Sequence, residues 1–367
     1  MKLPRLLTGD TPTGRLHIGH WVGSLENRVT MQNSYECYFL IANMHALTTK
    51  TQHTLEVRNN VLDIVLDYLS VGIDPTKSVI FIQSEIPAIA ELTFLFSMLV
   101  SYPRLMRNPT IKDEIRDKNL GEGYPFGFLL YPIGQVADIL AFRPTIVPVG
   151  EDQLPHLEMT REVARKFNHM YCNVAQDIED KDHLEHGGFF PIIEAKLGRV
   201  HRLVGTGGPN EAGVLHKMSK SLNNAILLSD EPDIIHKKVM HMYTDPKRIH
   251  ASDPGTVENN PLWIFHDTFN MDTTWVSEAK ERYRLGKIGD VECKKKLVEV
   301  LVDLTTPFLQ KRKQFAADKA YVLQVLQEGS ERANAVAEAT LIQTKELIHQ
   351  AYFDRKLSLT TMRKTSN

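Results

Sequence analysis

The sequence predicts an α/β protein, with a parallel sheet covered by helices on both faces and an all-helical part after it. Three observations carry this reading. Strand-like and helix-like segments alternate through the first half, and the strand-like ones are apolar almost throughout, as in strands buried on both faces. After about Ser229, helical periodicity takes over and strand candidates become few. The length of 367 residues exceeds one typical domain and suits two.

Residues 3–8 form a short apolar run that ends at Gly9 and reads as the first strand, and a helical stretch follows over 18–32. Residues 37–42 are a second buried strand. Over 54–71, Val57, Val61, Leu62, Ile64, Val65, Leu66 and Leu69 make a broad apolar helical face, with Gly72 placed as its C-cap. A third strand is expected at 79–82, a helix of unusual apolar content at 88–100, a further strand at 145–149 and a helix at about 151–168. Residues 233–242, 274–284, 291–313 and 320–350 all read as helices. The change of character puts a boundary at 228/229: an α/β domain over 1–228, a helical domain over 229–352, and a tail, 353–367, expected to be disordered. Between the halves, the glycine-dense segment from Gly205 to Gly213 marks a mobile loop. It lacks the Gly-Lys-Ser/Thr ending of a P-loop.

Hydrophobic residues make up 42% and charged residues 24%, as in an ordinary soluble enzyme. No apolar run approaches the roughly 20 residues a membrane-spanning helix needs. The first residues meet Gly9 and Asp10 too soon for a signal-peptide core. Three scattered cysteines, Cys37, Cys172 and Cys293, indicate neither a disulfide framework nor a zinc site, and a reducing cytoplasm is the expected location. The net charge of −2 argues against a protein that coats nucleic acid non-specifically, but leaves room for local basic patches. Lys294-Lys295-Lys296 and Lys311-Arg312-Lys313 are either such patches or solvated helix faces. His183, His186 and His201 invite a metal reading; without cysteine partners, a solvated loop is the simpler one.

Two motifs point to phosphate chemistry. In Thr11-Pro12-Thr13-Gly14-Arg15-Leu16-His17-Ile18-Gly19-His20 a strand ends, the chain turns, and a helix begins at the histidines. A helix start offers unpaired N–H groups and a positive dipole to phosphate. Gly19 lets a nucleotide approach the backbone, and His17 and His20 can donate to phosphate oxygens as charge builds on them. Alone, the motif also fits two histidines capping a turn. The second motif, Lys217-Met218-Ser219-Lys220-Ser221, follows the glycine-rich loop. Its lysines are compact charges able to follow a leaving pyrophosphate, and the glycines beside it supply hinges. Alone, it fits a solvated basic turn. A third feature is Asp138 within the apolar stretch 133–142, where a carboxylate is costly unless paired. An indole N–H is a donor only, so a carboxylate suits it as acceptor. A tyrosine hydroxyl would serve as well, and so would a structural pairing with Arg143.

In this order, about 200 residues apart, the two motifs resemble the paired HIGH and KMSKS sequences of class I aminoacyl-tRNA synthetases, letter for letter. The segment Val147-Pro148-Val149-Gly150-Glu151-Asp152-Gln153, then His156, Glu158, Thr160 and Arg161, resembles the tryptophanyl-tRNA synthetases within that class. So do Tyr131-Pro132 with Ala137-Asp138-Ile139-Leu140, Asn43-Met44-His45-Ala46-Leu47-Thr48, Val71-Gly72-Ile73-Asp74-Pro75 and Phe81-Ile82-Gln83-Ser84. The likeness runs from about residue 5 to 350; tyrosyl-tRNA synthetases and a synthetase-like RNA-binding paralogue without aminoacylation are the alternatives.

The resemblance implies a Rossmann-type catalytic domain, a helical anticodon-binding domain, and ATP-dependent charging of tRNA(Trp) with L-tryptophan by a cytoplasmic homodimer, with Mg²⁺ on the phosphates. It implies that His17, His20, Lys217 and Lys220 are catalytic. Thr11, Thr13, Gly19, Lys112, Gly150, Asp152, Met218, Ser219 and Ser221 would complete the ATP site. Leu7, His45, Tyr131, Gln135, Asp138 and Gln153 would hold tryptophan, with Tyr131 and Gln153 on its ammonium group. Two departures stand out: many members have glutamine at Thr11 and methionine at Gln135. Some members carry an iron–sulfur cluster on four cysteines, and the matching positions here are Asn260, Tyr283, Asp290 and Cys293. With one thiolate left, no cluster is expected. The apolar helix at 90–100 is expected either in a two-fold interface or wholly buried in the core.

Overall fold

The computed structural model describes residues 3–117, 123–200, 202–220, 222–250 and 252–353. Five parallel strands form one sheet: β1 (Arg5–Asp10), β2 (Glu36–Ile41), β3 (Ser78–Ile82), β4 (Ile146–Val149) and β5 (Glu194–Leu197), in the order β3-β2-β1-β4-β5. Successive side chains go to opposite faces, as the pleat requires. Leu6, Cys37, Phe39 and Ile41 enter one hydrophobic cluster, while Leu7, Tyr38 and Leu40 enter the other. Strand β5 was not expected. It lies at the sheet edge, and its Glu-Ala-Lys-Leu pattern alternates exposed and half-buried residues instead of forming an apolar run.

The sheet is not evenly zipped. Strand β1 pairs with β2 along its whole length, from Arg5 against Glu36 to Asp10 against Ile41. With β4 it shares one register pair, Leu6 against Ile146. Further along, contact passes to a side chain, the Thr8 hydroxyl donating to the Pro148 carbonyl at 2.6 Å. Strand order reverses at β1, so the gap at the carboxyl ends of β1 and β4 is the topological switch point where open parallel sheets bind ligands.

The helix Thr54–Val71 lies where its apolar face predicts, with Gly72 in the left-handed conformation at its end. The stretch at 18–32 is not one regular helix: Ile18–His20 and Glu26–Met31 are α-helical, and Trp21–Leu25 between them is a π-helical turn, a distortion common at functional sites. After residue 229 come Pro232–Met240, Pro261–Phe269, Thr273–Arg284, Asp290–Ala317 and Lys319–Leu347, all helices. They share both clusters with the sheet: Trp263, Leu297 and Leu326 join the one, and Ala333, Ala337 and Leu341 the other.

Three surface expectations need correction. Lys294 is not on a solvated face; it is buried, and its ammonium donates to the Met242 carbonyl at 2.6 Å and to Thr244 Oγ1 at 2.8 Å. Arg312 is buried as well, ion-paired across the molecule to Asp63 and Asp67. His183 is buried rather than solvated, 3.2 Å from the Asn168 side chain, whereas His186 is exposed and His201 lies outside the described residues. The helix Pro87–Ser97 is two-sided: Ile89, Leu92 and Phe96 are buried, while Phe94 and, just past its end, Met98 are 65% and 64% exposed. It is therefore not a wholly buried core helix.

Candidate active site

A cleft of about 510 Å³ opens at the switch point. Its inner end is apolar, walled by Leu7, Ile139 and Val147, and contains the carboxylate of Asp138. Asp138 sits in the last turns of the helix Phe126–Leu140, which continues through Pro132, and is only 2% exposed. Its burial is compensated. The Gln83 amide donates to both carboxylate oxygens at 2.8 and 2.9 Å, and His45 Nε2 lies 2.9 Å from Oδ2. Since the carboxylate only accepts, Nε2 must carry the proton. Gln83 is itself fixed, its carbonyl accepting the backbone N–H groups of Met44 and His45. Arg143 takes no part: its guanidinium stacks 4.2 Å over Phe189.

Along the wall, Gln135 donates to Gln153 at 3.2 Å, Gln153 donates to Asp152 at 3.0 Å, and Lys217 lies 3.2 Å from Asp152. Burial pushes the Asp152 carboxyl up, but Lys217 and the Gln153 amide outweigh it and hold it below the ordinary value. A polar chain thus joins the inner end of the cleft to the second motif.

At the outer end His17 caps the helix start. Its backbone N–H donates to His20 Nδ1 at 3.1 Å, and the two rings lie 3.7 Å apart. An Nδ1 that accepts leaves Nε2–H as the donor on His20. Burial lowers both imidazoles, with Lys217 and Lys220 adding to it and Asp10 opposing it at His20; His20 falls to about 4 and His17 further. Both are therefore neutral near pH 7 and act as hydrogen-bond donors, not charges. Beneath them, Asp10 accepts from Arg28 and Tyr68, each at 2.6 Å.

The second motif is held over this turn. Met218 N–H donates to the Leu203 carbonyl, and the Asn224 side chain accepts from Ser219 N–H at 2.7 Å and donates to the Lys217 carbonyl. A Cβ at Gly205 would meet Asn224 at 2.1 Å, so only glycine lets this loop close on itself. Lys220 reaches across to the Arg15 carbonyl at 3.1 Å and to Thr13 Oγ1 at 3.5 Å. Its ammonium passes over Gly14, whose φ of 118 favours glycine. Burial lowers its pKa, against the pull of Asp10 and Asp67.

The cleft gathers nearly every expected residue: Thr11, Thr13, His17, Gly19, His20, Gly150, Asp152, Lys217, Met218, Ser219 and Lys220 of the expected ATP site, and Leu7, His45, Gln135, Asp138 and Gln153 of the expected tryptophan site. Lys112 and Tyr131 are not in its wall. Lys112 is exposed on the helix Pro109–Asp117. Tyr131 packs edge-on against His45, its hydroxyl directed to Glu114 and His156. Ser221 lies outside the described residues. The sequence reading assigned no role to Gln83, Asp10, Arg28, Asn224 or the exposed Arg202, although Asp10, Arg28 and Arg202 line the cleft. The available signal for Asp10 was its place as a charged residue at the carboxyl end of β1; Gln83, just past β3, carried none of its own.

Imidazole donors and two lysines at one end of a cleft, and a buried carboxylate in an apolar niche at the other, suit an enzyme that brings an anionic substrate to a mostly apolar one. The chain belongs to the class I tRNA synthetases (W and Y), whose family model matches residues 2–306. It is 46% identical to the tryptophan–tRNA ligase of Clostridium longisporum over 355 residues, 95% of this chain and 98% of that protein. With the tryptophan–tRNA ligase of Streptococcus agalactiae it shares 45% identity over 358 residues, 96% of this chain and 100% of that protein. Its fold is similar to the crystal structure of tryptophanyl-tRNA synthetase from Campylobacter jejuni complexed with ADP and tryptophan. That likeness has a TM-score of 0.76 at 29% identity and covers 94% of this chain and 99% of that one.

Proposed function

We propose that this chain activates L-tryptophan with ATP to tryptophanyl-adenylate and then transfers it to the terminal ribose of tRNA(Trp). The observation that carries the reading is the Asp138 clasp in an apolar niche, within a chain alike over 95% of its length to a tryptophan–tRNA ligase. The indole would donate to Asp138, and the Gln135–Gln153 wall would receive the ammonium group. The substrate carboxylate then attacks the α-phosphate in line and pyrophosphate leaves. Catalysis is mostly placement and charge stabilisation: neutral His17 and His20 donate to phosphate oxygens, and Lys217 and Lys220 follow the departing charge. The test is charging of tRNA(Trp) and tRNA(Tyr) with labelled amino acids. Tryptophan on tRNA(Trp) alone is expected; tyrosine on tRNA(Tyr), or no charging at all, would contradict the reading.

The carboxylates lining the phosphate end, Asp10 and Asp152, are each paired with a cation, and no group of three or more metal-ligating side chains exists among the described residues. They do not fit a protein-held Mg²⁺, so Mg²⁺ would enter with the phosphates of ATP. The four cluster positions are likewise occupied with other work. Asn260 caps the helix Pro261–Phe269, Tyr283 donates to Asp290 at 2.7 Å, and burial pushes the Cys293 thiol up to about 12. We propose that this packing replaces a cluster; stoichiometric iron in anaerobically purified protein would refute that. We propose a catalytic domain over 1–228, an anticodon-binding domain over 229–352, and a homodimer in which Phe94 and Met98 are covered. A monomer in sedimentation at micromolar concentration would refute the dimer.

A further inference from the structure

The first motif does not stand on the sheet alone. Asp67, on the helix Thr54–Val71, is fully buried, and its Oδ2 accepts the backbone N–H of Leu16, the residue before His17, at 2.7 Å. Its other oxygen lies 3.4 Å from Nε of Arg312, on the helix Asp290–Ala317. Arg312 also pairs with Asp63, which in turn takes Arg15 at 3.3 Å, and the Arg15 carbonyl is the acceptor for Lys220. One turn before Arg312 on the same helix, Phe308 packs at 4.9 Å against Trp21, the residue after His20. The histidines are thus flanked by two holds, Leu16 on Asp67 and Trp21 on Phe308, and a helix nearly 300 residues further along the chain supplies Phe308 and the partner of Asp67.

We propose that Arg312 is a positioning residue for adenylate formation, acting through Asp67 and Asp63 to fix the turn that presents His17, His20 and the Lys220 contact. A buried carboxylate that orients a backbone N–H needs a partner for its charge. The groups facing Asp67 are Arg312, the Leu16 N–H, Asp63 and Arg15, with Lys220 beyond. Burial pushes Asp67 up to about 6, and Arg312 is the largest influence opposing this. Without Arg312, Asp67 takes up its proton at higher pH and weakens its hold on Leu16. A displacement of the histidines by a fraction of an ångström to an ångström is enough to slow chemistry while leaving a distant tryptophan subsite intact.

The inference rests on the function proposed above. Tryptophan-dependent ATP–pyrophosphate exchange across pH 5.5–8.5 separates the two. A wild type without exchange overturns both. With an active wild type, Arg312→Met should lower kcat about tenfold or more with little change in KM for tryptophan, and should move the acid limb of kcat to higher pH. Arg312→Lys should recover most of the rate, with its limb between the two. If Arg312→Met does not fold, Arg312→Lys against wild type still carries the test through its limb. An unmoved acid limb, or a loss confined to KM, overturns the inference and leaves the function standing.

Discussion

At the inner end of the cleft, Asp138 is buried and three short contacts from Gln83 and His45 fix it before any ligand arrives. At the outer end, the side chain of Lys217 is 49% exposed and bound to a carboxylate, and Lys220 has, among the described residues, a carbonyl at 3.1 Å and a hydroxyl at 3.5 Å. The difference teaches how binding and rate are divided. A carboxylate held by three donors keeps about one acceptor site open, and it discriminates through what a wrong ligand leaves unpaired there. A cation on a hinged loop gains most when charge appears in front of it, so its contribution falls in the transition state.

The sharpest way to break this comparison is to remove a lysine. Lys220→Ala should depress adenylate formation far more than tryptophan binding, by about 2.7–4 kcal/mol in the transition state, the usual cost of losing one such donor. Near-normal single-turnover adenylate formation would show that the outer end does not work this way. Asp138→Asn should have the smaller effect, roughly 1–3 kcal/mol, and on the opposite quantity. An amide opposes one of its oxygens' donors with an NH₂, so selection for tryptophan over tyrosine and phenylalanine should relax; an unchanged kcat/KM ratio would sink that idea.

The remaining effect concerns pH and stability rather than catalysis. Burial holds His20, His156 and His266 at about 4, against an unfolded value near 6.5. These depressed values mean the unfolded chain binds more protons between pH 6.5 and 4. Their stabilising contribution is complete above 6.5 and lost as pH falls through that window, roughly 2 kcal/mol per histidine by pH 5. Denaturant titrations at pH 7 and 5 should therefore give the lower midpoint at pH 5, and equal midpoints would contradict the neutral-imidazole reading of His20.

Much of this was legible in the sequence for local reasons. The helix Thr54–Val71 has a long apolar face and a glycine stop, and β2 to β4 are nearly unbroken apolar runs. The site motifs were legible because their residues are contiguous. What was not legible depends on distant partners. Nothing in Lys311-Arg312-Lys313 says that its middle residue is buried, because the carboxylates that receive it lie on another helix about 250 residues earlier. Gln83 reads as an ordinary polar residue at a strand end until the fold brings it to Asp138. The helix Phe126–Leu140 shows as broken apolar stretches because Pro132 interrupts its pattern, and the backbone runs on regardless.

In the proposed function, an inner acceptor selects one amino acid for an outer end that activates it. ATP–pyrophosphate exchange with each protein amino acid in turn tests this most directly. Exchange that depends on L-tryptophan, and is lost in Lys220→Ala, is the expected result. Exchange driven equally by tyrosine, or by no amino acid in an otherwise folded protein, would contradict it.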